Sequence, residues 1–125
     1  MAEALLRHYA GERFEVLSAG AMPTEVHPLT RQVLTDIGLD PSGLYAKNLD
    51  DFFARVSIAY AIIVCDQAED GCPHLFPFAL QTIHWPFDDP TQTAGSTAER
   101  LHAFRTVRDQ IDLRLRDWLE TLEGA

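Results

Sequence analysis

The sequence predicts a single α/β domain with a parallel sheet and right-handed crossovers between its strands. Three observations carry this. Residues 59 to 65 (AYAIIVC) are nearly all apolar, as in a central strand covered on both faces. Strand-like and helix-like segments alternate along the chain. The 125 residues, 46% hydrophobic and 23% charged, suit one core and one domain over 1–125.

The elements follow in chain order. Residues 1 to 10 form a helix, with Leu5, Leu6 and Tyr9 on one face and Gly11 as its stop. Residues 14 to 18 (FEVLS) form a short strand ended by Ala19-Gly20. A loop containing Pro23 leads to a second helix near Pro28, a residue suited to a first turn. Val26, Leu29, Val33 and Ile37 recur at steps of three and four, and Gly38 ends the pattern. His27 fits a turn or capping residue. Asp40-Pro41-Ser42-Gly43 is turn chemistry. Residues 49 to 56 make another short helix. After the apolar strand, residues 66 to 77 form a loop or broken helix. Residues 82 to 87 (TIHWPF) form a third strand, with Pro86 at its end or edge and His84 packed inside. A polar loop over 88 to 96 precedes a long helix over 97 to 122. That helix buries a stripe of Leu101, Phe104, Ile111, Leu115, Trp118 and Leu122.

Composition narrows the function. A formal net charge of −9 argues against nucleic acid as the main partner, because phosphate backbones need a positive field. A small oxyanion site needs only a few local donors and stays open. No apolar run reaches membrane-spanning length. The first residues, MAEALLRHYAGER, lack the basic start and apolar stretch of a signal peptide. Two cysteines do not make a secreted disulfide scaffold, so the expected compartment is the reducing cytoplasm.

In open parallel sheets, ligands bind beyond the carboxyl ends of the strands. Those ends carry Ser18-Ala19-Gly20, then Cys65-Asp66, then Phe87-Asp88-Asp89-Pro90. A hydroxyl, a thiol and a carboxylate pair therefore belong to one rim. Cys72 follows Cys65 by seven residues across a polar loop containing Gly71. Such a loop allows a disulfide without forcing one. A buried structural cysteine beside an unrelated exposed one explains the pair equally simply, and zinc lacks two further ligands at metal spacing. A loop carboxylate after a strand can protonate a leaving group, yet Asp88 and Asp89 also suit turn or helix caps. The mixed-sign charges from Arg100 to Asp117 suit a solvated helix face.

Together these landmarks resemble the low-molecular-weight protein tyrosine phosphatase superfamily, most closely its thioredoxin-coupled arsenate reductase branch. The matching stretches run in family order: MAEALLR at 1 to 7, SAG at 18 to 20, HP at 27 to 28, IGLD at 37 to 40 and KNLDDF at 47 to 52. VCDQAEDGCP at 64 to 73 and HWPFDDP at 84 to 90 complete them. The cysteine pair followed by FDDP points to the reductase branch over ordinary phosphatases.

The resemblance implies a three-layer fold, a small parallel sheet flanked by helices, with the first strand missing. It implies that Asp89 is the general acid. It makes Cys65 the second cysteine of a relay, which attacks the nucleophile's arsenic adduct, and Cys72 the third, which presents the disulfide to thioredoxin. Glu3 and Ser18 match positions that hold a potassium ion in some relatives, and Asn48 stands where an aspartate is often found. No other cofactor is required. The implied partners are a small oxyanion, arsenate or phosphate, and thioredoxin.

The family's nucleophilic loop, a cysteine with arginine six residues later, matches no segment of this sequence. MAEALLR corresponds to the helix just after that loop. The chain is therefore expected not to reduce arsenate or hydrolyse phosphotyrosine by itself. A start upstream of Met1 ranks ahead of a shortened binding or regulatory relative, and of a thiol module working with thioredoxin. A missing strand would also leave sheet edges open, so a homodimer, strand exchange or a re-paired sheet is expected. A small interaction domain without chemistry is the reading from a different class.

Overall fold

The structure is a computed structural model of the chain and describes residues 1–18, 26–44, 47, 58–65 and 79–123. Contacts divide the chain into two compact units. One comprises Met1–Ser18, Glu25–Tyr45 and Asp89–Ala125; the other comprises Ala19–Thr24 and Ala46–Asp88.

The first unit is built from three α-helices. Helix α1 spans Ala2–Ala10, with Glu3 in its first turn and Arg7 and His8 in its last, the polarity a helix dipole favours. The sequence pattern places its end correctly, but Gly11 caps it with right-handed backbone (φ −62°). Glycine is needed there for space: a Cβ would sit 2.5 Å from the Arg7 carbonyl oxygen. Helix α2 spans Pro28–Thr35, with proline in the first turn where its missing N–H costs nothing. It ends in a left-handed turn. Gly38 has φ +83°, and Leu39 N–H donates to the Leu34 carbonyl (3.0 Å) while Gly38 N–H donates to Thr35 (2.9 Å). Ile37 therefore falls beyond the helix and is 44% exposed, whereas Val33 and Leu34 are fully buried. The turn at 40 to 43 forms as its composition requires: Asp40 accepts from Ser42 N–H (2.9 Å), and Leu44 N–H donates to Pro41 (3.0 Å).

Helix α3, Thr97–Glu123, is the long element of this unit. Phe104, Ile111 and Leu115 on the expected stripe are buried, and Leu101, Trp118 and Leu122 are half-buried. Val107 and Leu119 join the buried set. The helix starts with a serine cap: Ser96 Oγ accepts from Glu99 N–H (3.2 Å), and its hydroxyl donates to the Glu99 carboxylate (3.2 Å). Its arginines tie down α2. Arg108 Nη1 donates to the Val33 carbonyl (2.9 Å), and Arg105 pairs with Asp36 (3.0 Å).

The strand expected over residues 14 to 18 is absent, and this stretch is irregular. A strand exists only through a backbone partner. Here the Val16 carbonyl accepts instead from the Arg7 side chain (2.6 Å). Phe14 stacks on Trp118 with centroids 6.0 Å apart, and Val16 is buried, so packing against α3 fixes the segment.

The second unit holds a parallel pair of strands, β1 (Ile58–Ile63) and β2 (Ala79–His84). The register sets Ile58 against Ala79 and Ile63 against His84. The apolar strand is found where its composition puts it, but its burial is lower than expected. Of its six residues only Ile63 is buried. β2 begins three residues earlier than the pattern suggests. Pro86 follows its end, and the pairing skips it: Trp85 N–H donates to Ile63 (2.8 Å) and Phe87 N–H to Val64 (3.1 Å). Trp85 is buried while His84 is exposed, which corrects the expectation of a packed histidine. Successive strand residues face opposite ways, and here the large indole takes the covered side. The expected helix at 49 to 56 and the loop at 66 to 77 lie outside the described residues. Among the described residues, no helix is long and apolar enough to cross a membrane.

Candidate active site

Cys65 stands two residues beyond β1, at the carboxyl end of the apolar strand, and is half-buried. It is disulfide-bonded. The sequence contains one other cysteine, Cys72, which lies outside the described residues. The preference for a strand end follows from chain geometry: where an extended, paired segment ends, its next side chains are released at the sheet's rim.

Asp89 lies on the exposed loop after β2, in the first unit. It caps a short 3-10 turn, Pro90–Gln92. One carboxylate oxygen, Oδ1, accepts from both Thr91 N–H (2.9 Å) and Thr91 Oγ (2.6 Å). The carboxylate is thereby held in a fixed orientation ahead of Pro90. The capping alternative weighed from sequence is therefore met, and it is compatible with proton transfer because Oδ1 alone carries the cap.

Glu3 and Ser18 are brought together. Ser18 Oγ donates to Glu3 Oε1 (2.8 Å), and Glu3 is buried at 5% exposure. Arg7, one turn along α1, pairs with Glu3 Oε2 (3.2 Å) and donates to Val16 O (2.6 Å). Asn48, the third residue expected here, lies outside the described residues. Two members of these sites were not foreseen. Arg7 was legible as the i, i+4 partner of Glu3. Thr91 was legible as the residue two after an aspartate in a turn.

The whole chain, residues 1–125, matches the low molecular weight phosphotyrosine protein phosphatases. The chain belongs to that family. Among curated relatives, the arsenate reductase of Shouchella clausii is 32% identical over 123 residues, covering 98% of this chain and 87% of that protein. The arsenate reductase of Bacillus subtilis is 31% identical over 122 residues, covering 97% and 86%. An arsenate reductase solved in the phosphate binding state superposes with a TM-score of 0.76 over 96% of this chain and 86% of that one. Its 22% identity makes that a likeness of fold. A thioredoxin-dependent arsenate reductase from Corynebacterium glutamicum is 28% identical, with a TM-score of 0.61 over 98% of this chain and 54% of the other. The small α/β fold expected from the sequence is thus that of the low molecular weight phosphatase family and its arsenate reductase relatives.

Proposed function

We propose that the chain works in thioredoxin-coupled arsenate reduction, supplying the proton donor and the two relay thiols. The observation that carries this reading is the disulfide-bonded state of Cys65 at the end of β1. It is supported by relatives named arsenate reductase that match nearly the whole chain.

The chemistry balances as a two-electron transfer. A nucleophilic thiolate displaces one oxygen of arsenate, and Asp89 protonates that oxygen so that it leaves as water. The Cys65 thiolate attacks the nucleophile's sulfur. A sulfur–sulfur bond forms, the sulfur–arsenic bond breaks, and its electron pair leaves with arsenite. Cys72 then attacks Cys65, which frees the nucleophile and leaves a Cys65–Cys72 disulfide. The dithiol of thioredoxin reduces that disulfide and is itself oxidised. Neither Cys65 nor Cys72 is followed six residues later by arginine; Gly71 and Phe78 stand at those positions. The initiating thiolate and its oxyanion-binding arginine therefore come from outside these 125 residues, and the chain by itself does not turn over arsenate.

The test separates these steps. The oxidised chain is mixed with thioredoxin, thioredoxin reductase and NADPH, and NADPH consumption is followed. One equivalent should be consumed rapidly per chain, and none by Cys65→Ser or Cys72→Ser. A disulfide that thioredoxin leaves intact overturns the relay. Arsenate added to the wild-type chain should sustain no further consumption; steady turnover would overturn the assignment of the nucleophile elsewhere.

A further inference from the structure

The resemblance gives the Glu3–Ser18 corner a potassium ion, and the geometry here does not suit one. We propose that the Arg7 guanidinium is the built-in cation of this corner, so that the site takes no potassium.

Among the described residues, the oxygens that meet at the corner include the two of Glu3, the carbonyl of Val16 and the hydroxyl of Ser18. Arg7 holds two of them: Nη1 lies 3.2 Å from Glu3 Oε2, and Nη2 donates to Val16 O at 2.6 Å. Ser18 directs its proton onto Glu3 Oε1 at 2.8 Å. A bound cation needs several oxygens with lone pairs turned inward. Here a guanidinium fork, planar and permanently charged, already spans the carboxylate and the carbonyl. The Glu3 side chain is 4% exposed and balanced by one full positive charge. A potassium ion would have to share the carboxylate with that charge at close range, and the two cations would repel each other.

Sequence and fold make the arrangement. Arg7 follows Glu3 by four residues, so both project from one face of α1. Arg7 supplies Glu3 with a full positive charge as well as a hydrogen bond, which the Ser18 hydroxyl does not. Among the described residues there is no group of three or more His, Cys, Asp or Glu side chains that could hold a metal ion.

The test uses thermal unfolding of the full chain in potassium chloride, sodium chloride and tetramethylammonium chloride at equal ionic strength. The wild-type midpoint should agree among the three salts to about 1 °C, well under the several degrees that a site contribution of 1 kcal/mol gives in a domain of this size. Arg7→Gln empties the corner, and its midpoint should fall in all three salts and recover specifically in potassium. Arg7→Lys, which keeps the charge and loses the fork, should fall less and show no potassium response. As a second readout, potassium is titrated into the wild-type chain while the Glu3 and Ser18 amide resonances are followed. They should not move beyond the tetramethylammonium control. A saturable, potassium-specific shift of these amides, or a potassium-specific rise of the wild-type midpoint, overturns the proposal. So does an Arg7→Gln variant equally destabilised in every salt, because the arginine would then not occupy a cation position. None of these readouts involves arsenate or thiols, so they stand or fall apart from the proposed activity.

Discussion

At the scale of single residues, this protein assigns helix-capping work to side chains that also make tertiary contacts. His27 shows this clearly. Its Nδ1 accepts from Leu29 N–H (3.1 Å), which satisfies one of the orphan donors at the start of α2. The same ring lies 4.8 Å from the Phe104 ring, and Nε2 is 3.4 Å from Arg100 of α3. Histidine is not among the preferred cap residues, and the ring contact accounts for its presence. His27→Ala should therefore cost about 1 kcal/mol for the cap and more for the lost packing. His27→Asn should recover the cap portion alone. Urea unfolding of the three proteins checks this, and an Asn variant no better than Ala would refute the capping role. Asp89 and Thr91 illustrate the same economy at the candidate site, where one oxygen caps a turn and the carboxylate is oriented by that cap.

At the scale of elements, α3 organises α2 through its arginines. Arg100, Arg105 and Arg108 meet α2 at its cap, its C-terminal Asp36 and the Val33 carbonyl. Arg108 is 9% exposed, and its guanidinium also pairs with Asp109 (2.9 Å). The Asp36 contact makes the docking of α2 sensitive to acid. Hydrogen bonds from Gln32 and then Arg105 hold the Asp36 carboxyl below its ordinary pKa. The folded state thus favours the ionised form. That contribution is complete above the ordinary carboxylate range and is lost as pH falls through the depressed value. Thermal midpoints of wild type and Asp36→Asn should differ at neutral pH and converge in acid. A gap that persists at low pH would show that Asp36 acts through something other than its charge.

At the scale of the whole molecule, the family membership and the division into two units fix what kind of protein this is. The helical unit has a core built from α1, α2 and α3, with Phe104 only 1% exposed near its middle. Phe104→Ala removes a large buried side chain and the ring under His27. It should cost about 3–5 kcal/mol, whereas Phe104→Leu should cost clearly less. Denaturant unfolding monitored by tryptophan fluorescence measures both, and near-equal losses would place Phe104 outside the core.

The sequence alone determined the parts set by short-range chemistry. The helix at 2 to 10, proline opening the second helix, Gly38 closing it and the stripe of α3 follow from local spacing and backbone freedom. So does the apolar strand just ahead of Cys65. The landmarks at 64 to 73 and 84 to 90 were enough to place the family, because motif order survives where overall identity is low. Tertiary structure decided the rest. Residues 14 to 18 have strand-like composition, yet Arg7 takes a backbone group a neighbouring strand would need. His84 alternates with Trp85, and only packing says which of the two is covered. The Glu3–Ser18 corner follows the same rule. Its residue types suit a metal ion, but an arginine four residues along the helix reaches the oxygens first. Composition states what a side chain can bind, and three-dimensional placement states which partner arrives.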